Sequence, residues 1–501
     1  MSKIKYPSES FVSLNISNFS NGINTKYDDS LSNLNYARAI HNFSFSDGTL
    51  KNGIGFKDII SELTSDIDEQ EVLEKEIESL GGIDKVFHFY IYNQTTSNRD
   101  DKLIIVDDEY KLYYINLYND KKSLNYIRNI TFTSSPIAVR YRLNGEDVMI
   151  FSSESDNMVV WNGYDLPYQV LDAPKISSMA LHYERLFATV DGEKNAVWFS
   201  DDLDPTNWSV NLEEAGFIEL IDERGALLKV VSFCDYIYIF RENGISRLSA
   251  YGDQRNFAIS NLFVSSGKIY ASSVCVCGDR IFFLANDGLY RFDGVDTVKI
   301  LDNISTNISN IKNQVASACY YNGSYYLACK FKFDSDTDNC DNLFYANTLM
   351  EIDINNCKLK NITHGINIKY LTAINTDKLE GVIVLANNTS TNEFLLSKLN
   401  YSGKFFNDNL SKKWISAKSG INNVNNLKTL NKIYIESLGN CSLTIYFDNK
   451  TTSFNFLGST NPIVKRVNIP FYNFSFVIES NDINCEIKNL KFEFSSVNGR
   501  V

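Results

Sequence analysis

Apolar and polar positions along residues 175–300 repeat one arrangement three times. Each repeat has an apolar run, an Asp-Gly or Asn-Gly step, and a further strand with an aromatic. The first runs from Met179 to Val190, turns at Asp191-Gly192 and continues through Ala196 to Ser200. The second runs from Leu227 to Phe240, turns at Asn243-Gly244 and ends in Ile245 to Tyr251. The third runs from Ala271 to Ala285, turns at Asp287-Gly288 and ends in Leu289 to Phe292. Such steps between apolar runs predict hairpins. Recurrence about every 40 to 50 residues is the period of a β-propeller blade.

The same vocabulary extends both ways. Two blades are predicted upstream, at 85–132 and 136–171, and two downstream, at 315–362 and 366–401. A count of six or seven is expected, because either end of the chain can lend a strand. Beyond 403 the runs change to alternation, as in Ser442-Leu-Thr-Ile-Tyr-Phe447 and Phe474-Ser-Phe-Val-Ile478. That pattern predicts half-buried antiparallel strands. The expected organisation is all-β: an entry segment at 1–57, an insertion at 58–84, a β-propeller at 85–402 and a C-terminal β-sandwich at 403–501.

The insertion stands apart. Residues 61–80 carry eight acids and one lysine, with Leu63, Ile67, Val72, Leu73, Ile77 and Leu80 at roughly helical spacing. An acidic amphipathic helix is predicted there. It is either a solvated helix in a loop or a contact to a neighbouring subunit.

Composition narrows the function. Aromatics make up 13% of the 501 residues, which favours sheets. The net charge of −13 argues against a surface built to grip nucleic acid or anionic membrane. It suits a wall past which DNA slides, since basic residues would hold the phosphates. Nine cysteines are scattered without a C-x-x-C and read as reduced structural thiols. Cys275 and Cys277 lie two apart on one strand and face one way. Residues 1–20 lack an apolar segment and no run of about 18 apolar residues occurs, so neither a secretion signal nor a membrane anchor is expected.

Candidate chemistry is sparse. His41, His88, His182 and His364 are far apart in sequence and read as hydrogen-bonded core or rim residues. The acidic cluster Asp201-Asp202-Leu203-Asp204 lacks the glycine and distal glutamate of an EF-hand loop. With Pro205 and Trp208 it reads as a capped turn, the tryptophan packing between blades. The steps Trp161-Asn-Gly-Tyr-Asp165 and Phe292-Asp-Gly-Val-Asp296 read as one turn used twice. No catalytic, cofactor-binding or metal-ligating residue is predicted, and no cofactor.

Several of these stretches resemble one family. They are Gly22-Ile-Asn24, Ala37 to Asn42, Ser46 to Lys51 and Gly53-Ile-Gly-Phe56; Arg185 to Thr189, Val197 to Ser200 and Asp204 to Trp208; Gly288 to Gly294; and Phe474 to Ile478, Ile487 to Phe494 and Gly499-Arg500. They resemble bacteriophage tail proteins of the nozzle or stabilisation type. The resemblance implies a non-enzymatic structural virion protein on a β-propeller. It further implies an oligomeric ring, commonly a hexamer, below the portal and adaptor, through which genome DNA exits. The expected partners are other tail and connector proteins, with DNA passing non-specifically. The expected location is the virion tail, after synthesis in the host cytoplasm. The acidic insertion has no counterpart in this pattern. The alternative is a phage adhesin reading host glycan through exposed aromatics, and a third reading is a depolymerase.

Overall fold

The computed structural model describes residues 9–27, 34–93, 98–210, 214–265, 267–309, 311–336, 340–387, 394–421 and 425–497. The protein is mostly β, with 54% of residues in strands and 7% in helices. Gly499-Arg500 lies outside the described residues.

Five four-stranded antiparallel sheets follow one another in chain order, each a meander, the first interrupted by the hairpin Tyr92–Asn93 and Asn98–Arg99. They begin with Ile83–Phe89, Ile137–Leu143, Ile176–His182, Leu227–Phe233 and Cys275–Cys277. A sixth and a seventh unit share the 17-residue strand Leu359–Asn375. Its first half pairs with Ala346–Asp353 and its second half with Glu380–Asn387. The seventh unit gains its fourth strand from Gly55–Asp58, paired antiparallel with Leu395–Asn400.

The second strands of these units are buried beyond their first residue, and along their whole length in Lys102–Asp107 and Arg185–Val190. Both faces of such a strand lie against neighbouring sheets, so an unbroken apolar run replaces alternation. Apart from one that also takes in the C-terminal sheets, each apolar cluster accordingly spans two successive units. Phe89 and Ile104 of the first meet Phe151 and Trp161 of the second. Ile150 and Val160 meet Leu186 and Trp208 of the third. Phe187 and Val197 meet Ile237 and Leu248 of the fourth, and Phe240 meets Phe283 of the fifth. A further cluster holds Ile105 and Ile115 of the first unit together with Ile383 and Leu385 of the last.

The turns are built for this stacking. Asn144 and Gly145, and Asn322 and Gly323, both hold positive φ at their two central residues, as a tight hairpin turn needs. In the repeated turn, Asn162 Oδ1 accepts from Tyr164 N and Asp165 N at 3.0 and 2.9 Å, and Asp293 Oδ1 from Val295 N and Asp296 N at 3.1 and 2.8 Å. A Cβ on Gly163 would lie 2.5 Å from Ile91 Cδ1, and one on Gly294 would lie 2.9 Å from Tyr238 Oη. In both turns glycine lets the loop press on the preceding unit.

The entry segment lends strands to other parts of the chain. Glu9–Ile16 pairs with Glu486–Val497, and Ala37–His41 with Lys412–Ser416, so the N-terminal residues complete both C-terminal sheets. Those sheets have four and five strands. Residues 404–409 pair instead with the Gly55–Asp58 side of the seventh unit. Nor do the C-terminal sheets keep a core of their own. One cluster runs from Trp414, Phe474 and Phe492 through Phe19, Phe43 and Phe45 to Phe282, Tyr325 and Met350. The aromatic entry segment is the physical bridge between them.

The acidic insertion forms helices Ile60–Leu63 and Ile67–Glu78, the latter capped by Asp66 accepting from Asp68 N and Glu69 N. Leu73 is fully buried where the last unit meets the first, and Glu76 accepts from Leu124 N at 2.8 Å. Ile67 and Val72, counted into the apolar stripe, are 70% and 51% exposed. The helix therefore covers a seam within its own chain with a narrower face than its spacing suggests.

Candidate functional site

Four of the units open their first strand with a β-bulge at one position. Register shifts lie at 83/85, 176/178, 227/229 and 368/370. Side chains at or beside these bulges tie neighbouring units at five of the seven junctions. Lys369 Nζ of the seventh donates to Ile83 O of the first at 2.8 Å. Lys85 Nζ of the first donates to Pro136 O, just before the second, at 3.2 Å. Lys229 Nζ of the fourth donates to Val274 O, just before the fifth, at 2.8 Å. Ser178 Oγ accepts from Val230 N at 3.2 Å, and Ser317 Oγ from Leu371 N at 3.1 Å. Burial pulls the ammonium groups of Lys85 and Lys229 below the ordinary lysine value. The Lys85 charge adds to this lowering at Lys229, although their sheets are three apart in the chain.

A polar cavity of about 370 Å³ lies where the sixth and seventh units meet. Glu351, 1% exposed, sits beneath it. It accepts from Ser324 Oγ at 2.9 Å, Asn361 Nδ2 at 2.5 Å and Tyr401 Oη at 3.1 Å, with Lys360 Nζ at 3.2 Å. Four donors saturate the carboxylate, which makes it a strut and removes it as a general base. The Tyr401 phenol is pushed up to about 12 by burial and by Glu351. At the rim Tyr321 Oη donates to Glu380 Oε1 at 2.8 Å.

A second cleft, about 250 Å³, is lined by Tyr90, Tyr92, Arg140, Tyr141 and Asp147. The guanidiniums of Arg99 and Arg140 lie 4.7 and 4.6 Å from the Tyr90 ring centroid. They take up the stacking surface that a bound sugar would use.

The sequence-predicted residues are distributed as follows. His88 Nε2 meets Asp101 Oδ2 at 2.8 Å, and His182 Nδ1 meets Ser232 Oγ at 2.8 Å. Asp204 Oδ1 accepts from Thr206 N at 2.9 Å, and Trp208, 2% exposed, donates from Nε1 to Pro205 O at 2.9 Å. Trp208 packs in the cluster of the second and third units. All nine cysteines are free thiols. Among the described residues no group of His, Cys, Asp and Glu is arranged to hold a metal. No helix among them is long and apolar enough to cross a membrane.

Sequence reading missed one pair. His41, from the entry segment, and His364, from the shared strand, have ring centroids 4.9 Å apart. His41 stacks on Phe333 at 4.8 Å. His364 Nδ1 meets Thr348 Oγ1 at 2.7 Å, and its Nε2 lies 3.4 Å from Asp336. Burial, then His364, push the His41 imidazole down to about 3. Over 300 residues of sequence separate the two rings, so no local signal pointed to them.

No family model matches the sequence, and no curated protein does. Solved structures match in part. One is the extracellular domain of a B. thetaiotaomicron protein described as a hybrid two component system, at 12% identity and TM-score 0.39, over 64% of this chain and 38% of that one. BBS1N, solved in complex with ARL6DN, matches at 8% identity and TM-score 0.39, over 65% of this chain and 95% of that one. PorZ of Porphyromonas gingivalis matches at 12% identity and TM-score 0.36, over 71% of this chain and 44% of that one.

Proposed function

We propose that the chain is a seven-bladed β-propeller joined to a β-sandwich, and that it is a structural component of a bacteriophage tail. In this reading copies assemble into a nozzle-type ring, commonly of six, below the portal and adaptor, and genome DNA leaves through it. The observation that carries the fold is the contact between the last unit and the first. Ile383 and Leu385 pack with Ile105 and Ile115, and Lys369 bonds Ile83 O, as one blade bonds the next. Seven units, each packed on the next and the last on the first, support a wheel.

The tail assignment starts from the resemblance in the sequence. The family-like residues support it by holding the wheel to the sandwich. Ile23 bridges Ala37, Leu50 bridges Ile487, and Gly55 and Phe56 lie on the strand that completes the seventh blade. The role is assembly and passage, and no chemistry is required of the side chains. Leu166, Leu171 and Leu203, at 64%, 72% and 67% exposed, lie with half-exposed Tyr164 and Tyr168 on the outside of the second and third units. Exposed apolar residues in number suit a subunit contact. The acidic balance suits a lumen that does not retain DNA.

Mass photometry of the purified chain, alone and with tail extract, tests this. A ring of several 57.0 kDa copies is the expected result, weakened in Leu166→Lys/Leu171→Lys. A monomer at high concentration that takes up no tail protein overturns the reading.

A further inference from the structure

We propose that the polar cavity between the sixth and seventh units is a binding site for a neutral sugar, and that it takes one pyranose ring. The site is built within one chain and does not depend on how copies assemble.

The volume of about 370 Å³ corresponds to about twelve water molecules at about 30 Å³ each, which is room for one pyranose unit. The wall carries two glutamates, Glu351 and Glu380, and two lysines, Lys360 and Lys398, so it has no net charge with which to select an ion. Both lysines are already engaged. Lys360 Nζ lies 3.2 Å from Glu351, and Lys398 Nζ lies 2.8 Å from Glu62. Among the described residues, two wall groups keep capacity for a guest. Glu380 holds Tyr321 Oη on Oε1 at 2.8 Å and has its second oxygen to accept a hydroxyl. Asn400 takes Ser402 N and Oγ on Oδ1 at 3.0 and 2.6 Å, which leaves its amide nitrogen to donate. A sugar hydroxyl both donates and accepts, so neighbouring hydroxyls of one ring serve both groups.

Aromatic rings complete the match. Tyr321 and Tyr401 both line the cavity, and Tyr401 is 57% exposed. Among the described residues no ammonium or guanidinium covers either ring, whereas Arg99 and Arg140 cover Tyr90 in the second cleft. An uncovered tyrosine presents an apolar face to the C–H face of a sugar and a polar edge to its hydroxyls. Burial and the neighbouring carboxylates push both phenols above the ordinary tyrosine value, so they remain donors at neutral pH. A wholly apolar guest would cover Glu380 and Asn400 without replacing their water.

Saturation-transfer NMR of the full chain tests the site, with glucose, galactose, mannose and N-acetylglucosamine as probes and with glucuronate and alanine as charged comparisons. At least one neutral sugar is expected to bind with a millimolar dissociation constant. Tyr401→Ala and Glu380→Ala, both at exposed positions, are each expected to weaken it about three- to tenfold, and Arg140→Ala in the second cleft leaves it unchanged. No transfer to any neutral sugar, transfer to glucuronate or alanine alone, or full-strength binding in both Tyr401→Ala and Glu380→Ala overturns the proposal. A crystal structure of wild type grown with the sugar reads the site directly if a variant does not fold. Density for a ring against Tyr401 supports the site, and an empty cavity overturns it.

Discussion

The strand Gly55–Asp58 decides whether the seventh unit is complete, and Phe56→Ala tests its contribution. Phe56 is fully buried, and its ring centroid lies 5.5 Å from that of Phe405. It faces Leu399 across the ladder to Leu395–Asn400. Neighbouring backbone cannot close inward on a void here, because even Gly55 has no room, its notional Cβ lying 2.6 Å from Lys404 O. Emptying such a site costs about 3–5 kcal/mol. Amide exchange reads that loss locally, which suits a large chain that need not unfold in one step. Exchange in Leu395–Asn400 and Gly55–Asp58 is expected to quicken roughly a hundred- to several-thousand-fold. Ile83–Phe89, which packs on the seventh unit, quickens with them. Unchanged exchange in these strands, or acceleration confined to the C-terminal sheets, would refute the reasoning.

Three further outcomes follow from the buried charges. His41 has its imidazole pushed down to about 3, below its unfolded value, so the fold favours the neutral ring. Stability is therefore lost as pH falls below about 6.5 and continues to fall towards the folded value, a loss of about 2 kcal/mol between pH 7.5 and 5. The His41 ring proton in an NMR titration, assigned with His41→Phe, should not shift above pH 4, and a midpoint near 6.5 would contradict the burial argument. Asp222→Ala strands Arg241, which is fully buried and 2.7 Å from that carboxylate. A loss of about 3–5 kcal/mol is expected by denaturant titration, and a loss under about 1 kcal/mol would be inconsistent with it. Glu351→Gln removes the charge beneath the polar cavity while keeping its shape. It should lower stability by about 1–3 kcal/mol, and an unchanged denaturation midpoint would show that Glu351 is not a strut.

Much of the strand pattern could be read from the chain. Asn322-Gly323 and Asp293-Gly294 mark turns by their own chemistry, and runs such as Leu103-Ile-Ile-Val106 mark strands covered on both faces. Alternation from Cys441 to Phe447 likewise marks strands covered on one face, and the structure has them so. Pairing between distant strands could not be read. Alternation specifies a face and not a partner, so nothing in Glu9 to Ile16 names Glu486–Val497 as its neighbour. The strand Leu359–Asn375 shows the same limit. Its sequence reads as the end of one blade and the start of the next, and it serves both without a break. The His41–His364 contact and the lysine ties between units arise from those distant pairings and have no local signature. The acidic helix was legible as a helix from its spacing, but its covering of a seam depends on Leu73 meeting residues from both ends of the series of units.

Cryo-electron microscopy of the assembled chain tests the central claim most directly. The account predicts copies around an open lumen, each a wheel of seven sheets with Ile383 against Ile105 and the sandwich on its side. An open row of sheets, or solitary subunits under every condition in which tail extract is present, would contradict it.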